Sequence, residues 1–351
     1  MKISKDNNRG CDMFHFAGCG ALNLDHIFVV DSLNEPELSQ FNLKPGGEIW
    51  GNRNDANKLL EILKSKGKLC YHSGGGSSAN TITILASLGW NSAFIGITGD
   101  DNEGLSVLES MKDVNCEGVK KQGNTAICII LLDNSRDRAI FVSPHNLEEA
   151  FITETSEKII ENSKCIHLSS LVFDRGLKNQ IELINYLKND QLLSFDPGEI
   201  YAKKGLSELL PVLSRTNILF ITETEINLLL SDNILKNNLL DKLKYLYKFI
   251  NNNNFYYNIN NDFKELNSPV IICKKGAKGS LLYNNIKTIE FPAYKASDIV
   301  DNTGAGDAFN AGFLDGLIKG KNLEDCLENA TKLAFKSLMD YGRHWIKTKI
   351  A

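Results

Sequence analysis

Short apolar runs alternate with segments of helical period along most of the chain. Phe14–Cys19 and 26–30 read as strands. Over 79–88, Ile82, Leu85, Ala86 and Leu88 recur on one side at helical spacing, and 93–97 follows as a short apolar strand. Ala126–Leu132 and 139–142 read as a strand pair about the polar turn 133–137. The pattern then becomes regular. A helix ends over 159–161, a strand covers 165–168, and a helix covers 180–187. Strands follow over 192–195, closed by the turn 196–198, and over 218–221 and 270–273; helices over 308–319 and 323–338 close the chain. Strands separated by helices imply parallel pairing with a helical layer on each face. Segments 26–50 and 126–142 lack intervening helices. Because an isolated two-stranded ribbon is marginal, these segments are expected to pair with each other in a small second sheet. An amphipathic helix is predicted over 55–66. The Asn-rich stretch 251–262 predicts a surface insertion, since asparagine is a poor former of helix and strand.

Composition narrows the function more than the fold. The 351 residues carry a formal net charge of −4, so no strong positive field recruits nucleic acid. No apolar run approaches the length of a bilayer span, and the polar N-terminus lacks the apolar core of a signal peptide. The expectation is a cytoplasmic protein. Eight cysteines, none closer than eight positions to the next, include no CxxC pair, and the six histidines show no HExxH. Cys128 and Cys273 fall inside predicted strands as small buried thiols.

The strongest chemical feature runs from Asp301 to Asp307 (DNTGAGD), immediately before an apolar helix. The amides of Gly304, Ala305 and Gly306 have little side-chain cover, and at a helix N-terminus they offer free N–H groups to an anion. Asp307 stands at the mouth of the same helix, where dipole and amides are expected to keep its carboxylate ionised. It could accept a proton from a hydroxyl while the amides hold charge on a phosphoryl group. The same residues also fit a helix cap behind a glycine turn. A second cluster, His72 to Asn80, places Gly74, Gly75 and Gly76 before a helix whose first turn carries Asn80. It reads as a loop or as a site. A third, Gly18 to Asp25, superficially suggests a dinucleotide fingerprint. Asn23 replaces the third glycine and no helical pattern follows, so that reading is rejected. Asn23 and Asp25 alternate with Leu22 and Leu24 and therefore point to one side, as a polyhydroxylated ligand would need. No GxxxxGK[ST] occurs.

Taken in order, these motifs resemble the ribokinase-like (PfkB) carbohydrate kinase family over nearly the whole chain. DNTGAGDAFNAGF is similar to the family's second signature, and GGGSSANTITILASLGWNSAFIGITGDDNEG to its first. The resemblance implies a three-layer α/β/α fold with a mainly parallel sheet, one domain over 1–351, and a small β lid from segments 26–50 and 124–143. It implies ATP-dependent phosphorylation of a small sugar. A nucleoside kinase is the alternative, with Phe28 and Trp50 either stacking on a base or forming lid core; a silent ligand-binding member is a third reading. By the resemblance Asp307 is the catalytic base, with Gly304, Ala305 and Gly306 as the anion hole. Asn23, Asp25, Gly75, Gly76 and Asn80 hold the acceptor. Lys275, Gly276 and Gly279 lie on the nucleotide side, and 329–342, with Asn329, covers the adenine. Glu225 binds Mg²⁺ through water, and Asp301 helps hold a monovalent cation such as K⁺. A homodimer clasped through the lid is expected, and neither nucleic acid nor membrane is a partner. The sequence departs from the family at Thr222, where an asparagine is usual, at Asn302, and at Ser169 and Ser170, where some members carry a carboxylate. Thr222 is expected to bind a metal-bound water through its hydroxyl.

Overall fold

The computed structural model describes residues 13–45, 47–133, 138–145, 151–173, 175–230, 238–253, 266, 268–296 and 299–349. The N-terminal stretch and most of the Asn-rich segment (254–262) lie outside the described residues. In chain order the strands are β1 (Phe14–Cys19), β2 (Asn23–Val30), β3 (Glu48–Trp50), β4 (Gly67–Gly75), β5 (Ser92–Thr98), β6 (Asn115–Lys121) and β7 (Ala126–Leu132). They continue as β8 (Arg138–Ser143), β9 (Ser163–Ser169), β10 (Leu192–Asp196), β11 (Ile218–Thr222), β12 (Val270–Lys274), β13 (Ser280–Tyr283) and β14 (Thr288–Phe291).

Nine strands form one sheet in the order β14-β13-β12-β11-β10-β9-β1-β5-β6. Its pairs from β12 through β6 are parallel, and β13 and β14 add an antiparallel edge. The central strands are mainly apolar because both their faces are covered, and buried polar breaks pair with each other, as His167 does with Ser194. In β12, Ile272 packs into one core while Ile271 and Cys273 pack into the other. Helices Ser77–Ser87, Ala305–Ile318 and Leu323–Ser337 build the first layer. Helices Glu154–Glu161, Gly176–Ile184, Gly205–Leu213 and Leu239–Asn253 contribute to the second. This is the expected mixed α/β architecture with helices on both faces.

The second sheet, ordered β3-β8-β7-β2-β4, joins the two segments expected to pair. β2 lies parallel to β7 and antiparallel to β4. Strand β4 is an addition to the sequence reading, which assigned no strand over 67–75 and left His72 to Asn80 open between a loop and a site. Its alternation is weak because it is an edge strand, and its glycines pack against β2 instead of forming a turn. One face of this sheet carries Ile27, Ile130 and Leu132; the other is covered by helix Arg53–Lys66 and by Leu33, Leu38 and Phe41. Two helix starts also differ from prediction. The Asp307 helix begins at Ala305 and the Asn80 helix at Ser77, because glycines precede both first turns and hide their start in the apolar pattern.

Candidate active site

Strand β2 places Asn23 and Asp25 on one side, and the Asn23 amide donates to Asp25 Oδ1. Across the ladder, Gly75 faces Asn23, and a Cβ on it would fall 2.1 Å from Asp25 Oδ2. Gly76 follows at φ +105°, with Ala21 O 1.9 Å from where a Cβ would stand. The backbone approach that the glycine cluster suggested is thus a requirement of the strand-to-helix corner.

That corner starts helix Ser77–Ser87. Ser77 Oγ donates to Asp307 Oδ1 at 2.6 Å, and Asn80 Nδ2 donates to Asp307 Oδ2 at 2.7 Å. Residues 230 and 227 positions apart therefore hold one carboxylate. Neither oxygen is spent capping its own helix. Gly304, at φ +78°, is the cap residue and gives no side-chain bond. The amides of Gly304, Gly306 and Asp307 find no acceptor among the described residues, whereas the Ala305 amide turns to Asn302 O at 3.3 Å. The open amides are thus two of the expected three plus that of Asp307 itself.

Below this turn lies a cation that the sequence reading passed over. Lys274 Nζ is 3.4 Å from where a Gly306 Cβ would stand, and 2.5 Å from Asp196 Oδ2. Asn310 Nδ2 donates to the same oxygen at 2.6 Å. The Lys274 and Asp196 side chains are 14% and 7% exposed, so this ion pair is almost shut off from water. Burial opposes its charges, but each partner outweighs that: Asp196 is held below the usual carboxylate range and Lys274 above its usual value.

The expectation that Asp307 sits low on the helix dipole is corrected. Burial pushes its pKa up to about 6; the Ser77 and Asn80 bonds pull it down and the Asp196 charge pushes it further up. Burial likewise lifts Asp25 to about 7, against the opposing charge of Arg343.

The remaining expected residues divide. Glu225 is buried, and burial with the Asp196 charge raises it to about 7. It forms a reciprocal cap with Thr222: Thr222 N donates to Glu225 Oε2 at 2.8 Å and Glu225 N to Thr222 Oγ1 at 3.2 Å. The Thr222 hydroxyl accepts at the helix start and keeps its own O–H to donate. Both Asp301 oxygens accept backbone amides, from Thr303 at 2.8 Å and Gly342 at 3.0 Å. Lys275, Gly276 and Gly279 make the turn between β12 and β13, where Lys275 reaches Glu290 at 3.3 Å. Asn329 departs from the expected nucleotide site. Its amide donates to Gly312 O and Asp315 Oδ2, about two to three helical turns down from the glycine turn, and ties two helices together. Ser169 holds the Ser78 amide at 2.9 Å. Asn302 accepts from Arg138 of the small sheet at 3.2 Å, so the two sheets meet at the signature turn.

Between the sheets, a cavity of about 20 Å³ is lined by Asp25, Ile27, Tyr71, Asn80, Gly304 and Arg343, among others. Arg343 comes from the stretch just past the segment expected over adenine. It is 7% exposed and donates through Nε to Asn80 Oδ1 at 2.6 Å. Sequence parity could have found Lys274: on β12 it shares a face with Ile272, toward the Asp307 helix, and Lys275 takes the other face. No local pattern marks Arg343.

Comparison with known proteins agrees with this geometry. The family model described as pfkB family carbohydrate kinase matches residues 52–342. A protein of Archaeoglobus fulgidus named an uncharacterized sugar kinase is 28% identical over 264 residues, 74% of this chain and 95% of that one. A nucleoside kinase of Methanocaldococcus jannaschii is 27% identical over 317 residues, 88% and 84% of the two chains. In fold, the chain is similar to an adenosine kinase from Schistosoma mansoni in complex with 2-fluoroadenosine. The TM-score is 0.77 at 21% identity, covering 94% of this chain and 96% of that one. With the match running over most of its length and both signature segments at one cleft, the chain belongs to the pfkB family of carbohydrate kinases, phosphotransferases that act on a hydroxyl acceptor.

Proposed function

We propose that the chain transfers the γ-phosphate of ATP to a hydroxyl of a small sugar, with Asp307 as the base. The observation that carries this reading is the Asp307 carboxylate, pinned by Ser77 and Asn80 beside amides without acceptors. An acceptor hydroxyl held by Asp25 and Asn80 would lie against Asp307, which takes its proton as the oxygen attacks phosphorus. The amides of Gly304, Gly306 and Asp307, with Lys274 beneath them, meet the charge on the transferring group. The cavity has room for about one water, so the small sheet must swing away to admit a sugar and close to exclude water. Segments 26–50 and 124–143 then act as a lid on one domain spanning 1–351, and Arg138 is its contact with the signature turn.

No cluster of three acidic, histidine or cysteine side chains is found among the described residues, which suits a Mg²⁺ that arrives with ATP and needs only one or two carboxylates. Glu225 Oε1 and Asp196 Oδ1 fit that part, since only the other oxygen of each is engaged. The ion would supply charge neutralisation on the phosphates. Asp301 accepts one amide at each oxygen and keeps further lone pairs with which it would help hold a K⁺ ion. The turn at Lys275, Gly276 and Gly279 is the nucleotide border in this reading, and Asn329 has no part in it.

A nucleoside acceptor is disfavoured at the two aromatics that suggested it. Phe28 is buried in the core beneath helix Arg53–Lys66, and Trp50 is 51% exposed. The homodimer that the resemblance implies would use an edge or an apolar face of the lid sheet. The chain's own helix covers one of those faces, and on that ground we read the protein as a monomer. Sedimentation should give 39.0 kDa, and twice that mass restores the dimer. A cytoplasmic setting fits the free state of all seven described cysteines. Among the described residues no helix is long and apolar enough to cross a membrane.

The deciding experiment is a coupled assay of ATP consumption over sugars, sugar phosphates and nucleosides. Failure of every acceptor to raise turnover would sink the kinase reading. The pH profile adds an independent check. Asp307 works only when deprotonated, so kcat/KM should climb about tenfold per unit below pH 6 and level off above it. A profile flat through pH 5 would remove Asp307 from the role.

A further inference from the structure

Arg343 is a buried guanidinium without an ion pair among the described residues. Its Nε is spent on Asn80 Oδ1 and its Nη1 on Ser110 Oγ at 3.1 Å, whereas Nη2 is buried with no partner. A cation shut away from water in this state costs several kcal/mol unless something meets its charge. The carboxylates that act on it, Asp25 and Asp307, work through space and form no salt bridge with it. Apart from Asp25, which bonds to Asn23 and not to the guanidinium, the neighbouring lining is apolar or neutral, with Ile27, Tyr71, Ile84, Trp345 and Ile346 among it. A neutral polyol gives a guanidinium only hydroxyl acceptors, whereas an oxyanion matches its planar fork of donors and its charge together.

We propose that the acceptor carries an oxyanion, as a phosphate monoester or a carboxylate, and that Arg343 is its receptor. The inference deepens the kinase reading and rests on it for the position of the reacting hydroxyl. Asn80 fixes the spacing. Its Nδ2 holds Asp307 and its Oδ1 holds Arg343, so the hydroxyl and the anion are received one carboxamide apart. A single pentose or hexose spans that separation. The same arrangement separates acceptors: a neutral sugar or a nucleoside leaves the buried cation without a direct ion pair.

The test uses the full chain and matched probes: D-ribose against D-ribose 1-phosphate, and D-glucose against D-gluconate, with adenosine and cytidine as neutral nucleosides. Calorimetric binding without ATP is measured first, then kcat/KM with ATP and Mg²⁺. The anionic member of at least one pair should bind about 10- to 100-fold more tightly than its neutral match. The pair that responds distinguishes phosphate from carboxylate. In Arg343→Met that ratio should collapse toward one, and Arg343→Lys should recover part of it. A purely structural arginine would change both members alike and leave the ratio intact. Arg343-dependent preference for the anion supports the proposal whether or not the sugar is then phosphorylated; binding without phosphorylation counts against the kinase reading alone. Equal or tighter binding of the neutral members by the wild-type chain overturns the proposal while leaving kinase activity open. So does a preference that survives in Arg343→Met. Should that variant not fold, the wild-type ratio and the lysine variant still decide.

Discussion

Asp307→Asn is expected to lower kcat by about two to four orders of magnitude and to leave the folded structure and ATP binding intact. The local hydrogen bonds explain why the loss should be chemical and not structural. Asp307 accepts one bond at each oxygen, from Ser77 Oγ and Asn80 Nδ2. An asparagine keeps its carbonyl toward Asn80 and turns its amide to Ser77, whose hydroxyl can reverse and accept. Only the proton acceptor is lost. Stability should move the other way. The folded pKa of about 6 lies above the ordinary value of 3.8, so the charged form burdens the fold above pH 6 and the burden fades as pH falls toward 4. The variant's Tm should therefore equal or exceed wild type at pH 7, and the difference should close on acidification. Stopped-time phosphorylation assays and thermal scans at pH 4, 6 and 7 test both halves. Near-wild-type turnover would remove Asp307 from the chemistry, and a large fall in Tm would make it a structural residue.

What could be read in advance followed from periodicity. The parallel core was legible because both faces of β5, β9, β11 and β12 are buried, so apolar residues dominate them even where His167 interrupts β9. The glycine turn before the Asp307 helix was legible because a bare backbone before an apolar helix has few other uses. Strand β4 was not. An edge strand exposes polar side chains, and here its glycines serve the close approach to Asp25. The upward shift of Asp307 was not legible, because helix position is a local property and burial is a tertiary one. Thr222 and Glu225 carried two meanings at one spacing. T-x-x-E is a capping box by its own geometry, and the chain uses it as one. Lys275 was chosen over Lys274 because the adjacent glycine pattern drew attention to the turn, although alternation along β12 sends Lys274 to the Asp307 helix. Arg343 had no signal, since its placement depends on a fold-back of the C-terminal segment that Asp301 secures through the Gly342 amide.

Lys274→Met is expected to destabilise the protein by about 3–5 kcal/mol, because it strands Asp196 as a carboxylate in a site with little water. In a chain of this size that corresponds to a fall in Tm of roughly 4–7 °C. The reason lies in the asymmetry of buried pairs: a pair roughly breaks even, but half a pair does not. Asp196→Asn with Lys274→Met should accordingly recover much of the lost stability, since the introduced carboxamide can still accept from Asn310 and no charge is left alone. Activity should not return with it. Lys274 lies directly beneath Gly306, where the transferring phosphoryl group gathers negative charge in the proposed reaction, and methionine brings none to meet it. The double variant thus separates the two uses of one ammonium. Recovered Tm with kcat at least about 100-fold below that of Asp196→Asn alone assigns Lys274 to the phosphoryl side of the site. Recovery of both would reduce it to the counter-ion of Asp196. Recovery of neither would mean that the buried charges are held by more of the surroundings than the Asp196–Lys274–Asn310 cluster contains.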